Sequence, residues 1–237
     1  MAGSWDCASD HESWTPNPEP SPMGRRALRQ IDPRLDLSRH LKTLDELPRP
    51  WDAEVLFGRR APLEVEVGSG KGLFLRSAAA ERPDVDFLGI EIGPKYARFA
   101  AAGLVKRAIP NAVVVIADAA RVFDKRLPDA CLAAVHVYFP DPWWKRRHEK
   151  RRLMRPSLVR HVERTLQPGG RLHFWTDVEE YFHATLQMLA DHTGLDGPHE
   201  VPESPAEHDM DYRTHFERRK RLHGEPVYRA EFTKPTD

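Results

Sequence analysis

The chain has 237 residues, 40% of them hydrophobic and 9% aromatic, and a formal net charge of zero. That length and composition suit a single well-buried soluble domain rather than two. No apolar run approaches the roughly 20 residues that a membrane-spanning helix needs, and a balanced charge does not by itself point to a polyanionic partner.

The opening MAGSWDCASDHESW carries acids where a secretory leader carries bases, so a cytoplasmic protein is expected. Cys7 in the tail and Cys131 in an apolar run offer no disulfide framework. Residues 1–24, with prolines alternating with polar residues in TPNPEPSPM, read as a disordered tail. Residues 25–49 are basic and only partly amphipathic, with Leu28, Ile31, Leu35, Leu37, Leu41 and Leu44 as anchors. The folded domain is expected over 50–237.

After Pro62 apolar runs alternate with longer mixed segments. Strands are expected at Leu63–Val67, Phe87–Ile90, Ala112–Ala117, Cys131–Phe139 and Arg171–Trp175. Helices are expected over 73–82, 95–108, 149–166 and 178–191, several of them stopped by prolines or glycines. Residues 194–212 read as irregular, before a short basic helix and a closing strand at 227–232. Strands alternating with helices imply βαβ units, hence an α/β fold with a doubly wound, mostly parallel sheet and helices on both faces.

Val65-Glu66-Val67-Gly68-Ser69-Gly70-Lys71-Gly72 leaves the first of these strands and opens a helix, as nucleotide-binding turns do. Glu91 ends the next strand, where a carboxylate can accept hydrogen bonds from ribose hydroxyls. Asp118 ends the one after, placed to take the exocyclic amine of an adenine. Glu66, just before the turn, can meet the ammonium end of an amino-acid cofactor. A dinucleotide dehydrogenase uses similar parts, but the spacing here is G-x-G-x-G, and it has no cation for Glu66 to hold. Strand-end acids can instead cap the helices that follow them.

The fourth strand runs into Tyr138-Phe139-Pro140-Asp141-Pro142-Trp143-Trp144-Lys145. Two prolines hold Asp141 stiffly. Between 145 and 152 lie Lys145, Arg146, Arg147, Lys150, Arg151 and Arg152 against the single acid Glu149; Arg213 and Arg218–Arg221 form a second basic run. A basic run alone reads as a solvated helix face. Aromatic faces, a carboxylate and cations together are what recognition of one splayed-out nucleotide requires.

FPDPWWKRRHEKRR, EVGSGKG, GIE at 89–91, L-x-P-G-G at 166–170, TDVEEY at 176–181 and THFE at 214–217 together resemble the bacterial tRNA (guanine-N7-)-methyltransferase family, from about residue 62 to 232. The resemblance implies a Rossmann-like methyltransferase sheet with an antiparallel C-terminal strand. It also implies S-adenosylmethionine as cofactor, S-adenosylhomocysteine as product, and no metal. It places Glu66, Gly68, Gly70, Glu91, Asp118 and Asp141 around the cofactor, with Asp141 at the reaction centre. Lys145, Asp177, Thr214, His215, Phe216 and Glu217 would contact substrate, and Arg147, His148, Glu149, Lys150, Arg151 and Arg152 would lie against RNA. The implied partner is tRNA, methylated at the variable-loop guanine at position 46, by a monomer or weak homodimer without membrane contact. Trp144 stands where a histidine or smaller residue is expected, and the acidic tail lies outside the resemblance. A class I methyltransferase of another RNA base or a small molecule would share the cofactor half and differ at 138–152. A non-catalytic RNA-binding module would not need Glu66, Glu91, Asp118 and Asp141 together.

Overall fold

The computed structural model describes residues 28–141, 153–203, 205 and 212–236. The tail at 1–24, Trp144 and the basic run at 145–152 lie outside the described residues. By its contacts the chain divides after Gln30, and every element below belongs to Ile31–Asp237.

In chain order these are β1 (Leu41–Thr43), α1 (Ala53–Phe57), β2 (Leu63–Val67), α2 (Leu73–Glu81), β3 (Asp86–Glu91), α3 (Pro94–Lys106), β4 (Ala112–Ile116) and α4 (Ala119–Lys125). There follow β5 (Leu132–Tyr138), α5 (Pro156–Thr165), β6 (Leu166–Thr176), α6 (Glu179–His192), β7 (Asp196–Glu200), α7 (His215–Leu222) and β8 (Tyr228–Thr233). The strands form one sheet in the order β1-β4-β3-β2-β5-β6-β8-β7. The first six in that order run parallel; β8 is antiparallel to β6, and β7 to β8. This is the doubly wound sheet with an antiparallel C-terminal strand that the sequence leads one to expect.

Central strand β2 is buried along its whole length although two of its residues are glutamates. Alternation puts Leu63, Val65 and Val67 on one face and Glu64 and Glu66 on the other. The first face packs into an apolar cluster with Val135, Val137, Leu172 and Phe174 of the sheet and with Val122, Phe123, Val159 and Val162 of α4 and α5. The second lies in the layer of α2 and α3, where Phe74, Leu75, Ala97, Ala100 and Ala101 meet Phe87 and Val114. Burial of each phenylalanine contributes about 2–3 kcal/mol.

Several elements depart from the sequence expectation. β1 lies before residue 50, hydrogen bonded to β4 with Leu41 opposite Val114, so the domain begins earlier than its composition suggests. The three residues of LKT are too few to show an alternation. β7, DGPHE, falls in the stretch expected to be irregular; it is a wholly exposed edge strand carrying Gly197 and Pro198, so no apolar face marks it. Helix α5 spans only Pro156–Thr165, with Pro156 in its first turn, and Leu166 already belongs to β6. The short helix α4, capped by Asp118, is not among the helices expected from the sequence.

Helix α2 starts on Gly72, whose φ is +68°, and a methyl there would meet Ala100 Cβ at 2.6 Å. Gly72→Ala is therefore expected to cost about 2–4 kcal/mol, from left-handed strain plus overpacking of α3, read as a lower urea midpoint.

On the same sheet face a polar network runs across β2, β5 and β6. Arg82 donates to both Glu64 carboxylate oxygens at 2.6 and 2.9 Å, and His136 Nε2 lies 2.8 Å from Glu64 Oε2. Burial pushes the Glu64 carboxyl up, but hydrogen bonds from His136 and Arg82 outweigh it and hold the group at about 2. His136 Nδ1 lies 2.9 Å from the Tyr138 hydroxyl, and its ring stacks on that of His173 at 4.7 Å. Burial pushes both imidazoles down, His173 to about 2. His173 takes a proton near its ordinary 6.5 when unfolded but not when folded, so the stability it contributes is present above pH 6.5 and lost as pH falls. Across pH 6 to 5 the stability advantage of wild type over His173→Phe is expected to shrink by about 1.4 kcal/mol per pH unit in urea unfolding.

Candidate active site

Because β2 to β6 are parallel, their carboxyl ends share one edge of the sheet. Val67 lies opposite Ile90 and Val137, Glu91 opposite Ile116, and Tyr138 opposite Trp175. The register therefore gathers the glycine turn, Glu91, Asp118, Phe139–Asp141 and Asp177 around one crevice, the place where open α/β sheets bind ligands.

The turn is held by the neighbouring strand. Gly68 and Ser69 N–H donate to the Ile90 carbonyl at 2.8 and 3.1 Å, with Gly68 and Gly70 at positive φ. Glu91 Oε2 accepts the Gly70 N–H at 2.8 Å, and Oε1 accepts that of Gly93 at 2.7 Å. Each oxygen keeps a second lone pair for a ligand hydroxyl. Asp118 is exposed and uses one oxygen, Oδ1, to cap α4 through Ala120 N–H at 2.8 Å. Helix capping thus accounts for part of Asp118 and none of Glu66. Glu66 is only 3% exposed, and its Oε2 has no hydrogen-bond partner among the described residues. Burial pushes its carboxyl up to about 8; Ser69 and Arg76 oppose the shift and Glu91 adds to it.

The other end of the crevice is aromatic and charged. Phe139 leaves β5 with φ +50° and its N–H on the Trp175 carbonyl at 2.8 Å. Its ring lies 5.0 Å from that of Phe216, which brings the THFE segment to the β5 exit. Asp141, two residues on, is exposed. Asp177 pairs with Lys220 of α7 at 3.0 Å, and Lys220 also reaches Glu225. Thr214 caps α7 by accepting the Glu217 N–H at 3.0 Å. Glu217 itself is 2% exposed: it accepts the Arg213 N–H at 2.6 Å and pairs with Arg221 at 3.2 Å and Arg229 at 3.6 Å. The side chain of His215, together with Lys145 and residues 147–152, lies outside the described residues.

A family described as a putative methyltransferase matches residues 60–230. The tRNA (guanine-N(7)-)-methyltransferase of Rhodopirellula baltica is 48% identical over 220 residues, 90% of this chain and 80% of that one. The chain belongs to that family. The family's enzyme from Cupriavidus necator is 37% identical over 212 residues, covering 89% of this chain and 78% of its own. Two solved structures share the fold alone. The aminoglycoside resistance methyltransferase NpmB1 has a TM-score of 0.54 at 21% identity, covering 80% of this chain and 94% of that one. Precorrin-6y C5,15-methyltransferase from Geobacter metallireducens has a TM-score of 0.51 at 19% identity, covering 74% and 82%.

Within the family fold the structure adds residues that the sequence did not single out. Ile92, 70% exposed, follows Glu91 at the end of β3. Arg229 pairs with Glu217, while Lys220, from the second basic run, pairs with Asp177. Nothing in the spacing marks Arg229, because a lone basic residue in a strand reads as solvated.

Proposed function

We propose that this protein transfers a methyl group from S-adenosylmethionine to N7 of a guanine in tRNA, the variable-loop guanine at position 46. The observation that carries the cofactor half is the orphaned oxygen of Glu66. A buried carboxyl with one oxygen unpartnered at the root of a glycine turn fits a ligand bearing an ammonium group. Glu91 would take the ribose hydroxyls, Asp118 the adenine amine with its free oxygen, and Ile92 a face of the adenine ring. Bound there, S-adenosylmethionine supplies an electrophilic methyl group on a sulfonium.

Guanine N7 carries a free lone pair, so no side chain need remove a proton to activate it. The protein contributes alignment and charge. Asp141, at the β5 exit, accepts hydrogen bonds from a guanine N–H edge and stabilises the positive charge that develops on the ring. Phe139 and Phe216, in ring contact, would flank that position, and Thr214 and His215 at the start of α7 would contact the substrate. Asp177 and Glu217 are the other two carboxylates that would serve the guanine edge. Lys145 binds phosphate, and Arg147, His148, Glu149, Lys150, Arg151 and Arg152 lie against the RNA.

Two transcripts differing only in guanine or adenine at the variable-loop position test the substrate assignment. Methyl incorporation is expected into the guanine transcript alone. Equal incorporation into both would move the target elsewhere in the tRNA.

A further inference from the structure

Arg76 stands on the inner face of α2, 7% exposed, and pairs with no acid among the described residues. Its Nη1 donates to the Lys71 carbonyl at 2.9 Å, inside the glycine turn, and its Nε has no partner. A buried guanidinium held by one carbonyl costs several kcal/mol of lost hydration, so its retention calls for a compensating interaction. The fold makes room for it deliberately: Gly103, in the interior of α3, would place an added methyl 2.9 Å from Arg76 Cδ. Glycine inside a helix costs about 1 kcal/mol relative to alanine, which the passage of the Arg76 stem explains.

We propose that Arg76 is a positioning residue for the amino-acid end of the cofactor, clamping Lys71 in the glycine turn and holding Glu66 ready as the carboxylate that receives the ammonium. This rests on the cofactor reading above. The turn is then fixed from two sides. Glu91 holds Gly70 N–H on the nucleoside side, and Arg76 holds the next carbonyl on the amino-acid side. Glu91 from β3 and Arg76 from α2 act on Glu66 through their charge, and Ser69 of the turn through a hydrogen bond. Arg76 is the cation among them that favours the charged form of Glu66.

The sign follows from linkage. Below about 8 the free Glu66 carboxyl is protonated, so receiving an ammonium requires it to release a proton, and affinity rises with pH until that value is passed. Removing the Arg76 charge moves the levelling point further up.

The test is calorimetric titration of the whole protein from pH 6 to 9 with S-adenosylhomocysteine and with 5′-methylthioadenosine, which lacks the amino-acid end. Arg76→Met is expected to weaken S-adenosylhomocysteine about tenfold at pH 7 and to raise the levelling point by about one unit, while 5′-methylthioadenosine changes less than about twofold. Arg76→Lys, which keeps the charge, restores the levelling point. If Arg76→Met does not fold, Gly103→Ala decides: it crowds the Arg76 stem while favouring the helix, and should weaken S-adenosylhomocysteine and spare 5′-methylthioadenosine. Equal weakening of both ligands at every pH, or no weakening, would overturn the role of Arg76. A wild type that binds neither ligand would instead overturn the cofactor reading on which it rests.

Discussion

Glu66→Gln is expected to weaken S-adenosylhomocysteine binding by about 30- to 1000-fold, the 2–4 kcal/mol associated with removing one partner of a buried charge pair. The amide keeps the volume and one acceptor but cannot offset the ammonium charge. The ligand-free protein should not lose stability, because the wild-type carboxyl, pushed up to about 8 chiefly by burial, is already neutral near pH 7. Binding to the wild type should strengthen as pH rises toward 8, whereas the variant's pH profile stays flat over that range. Calorimetry and thermal unfolding on the same samples separate the effects. Affinity retained within about threefold would remove Glu66 as the ammonium's partner.

Asp141→Asn is expected to lower turnover by about 100- to 1000-fold, the range found when one group aimed at developing charge is removed, with tRNA affinity nearly unchanged. The side chain is exposed at the exit of β5, so the substitution leaves no buried group unpaired and the fold intact. Its effect should therefore appear in the chemical step. Single-turnover methylation at saturating cofactor and tRNA measures that step. Near wild-type turnover would exclude a charged role for Asp141 and transfer the assignment to Asp177, which the structure places at the end of β6 in contact with α7.

The central parallel strands were legible because their apolar runs end in glycine, proline or acid. Leu63–Val67 meets Gly68, and Ala112–Ile116 ends at Asp118 by way of Ala117. The same boundaries placed the strand-end carboxylates, since a parallel sheet carries every strand's last residue to one edge. Short polar edges such as LKT and DGPHE were not legible, because their strand character comes from backbone pairing rather than a buried face. The ion pairs of the buried Glu217 were also hidden. Arg229, on β8 and distant in the sequence, reaches its carboxylate only in the folded chain. Arg76 in LFLRSAAAE looks like an ordinary solvated helix residue until Gly103 of another helix is seen to open a path for it. Local pattern revealed which groups end a strand; long-range packing determined which of them are free to meet a ligand.

Nucleoside analysis after incubation of the purified protein with methyl-tritiated S-adenosylmethionine and unmodified tRNA tests the central claim most directly. The account predicts label in 7-methylguanosine and in no other nucleoside. Label in a different nucleoside, or none while the cofactor still binds, would contradict it.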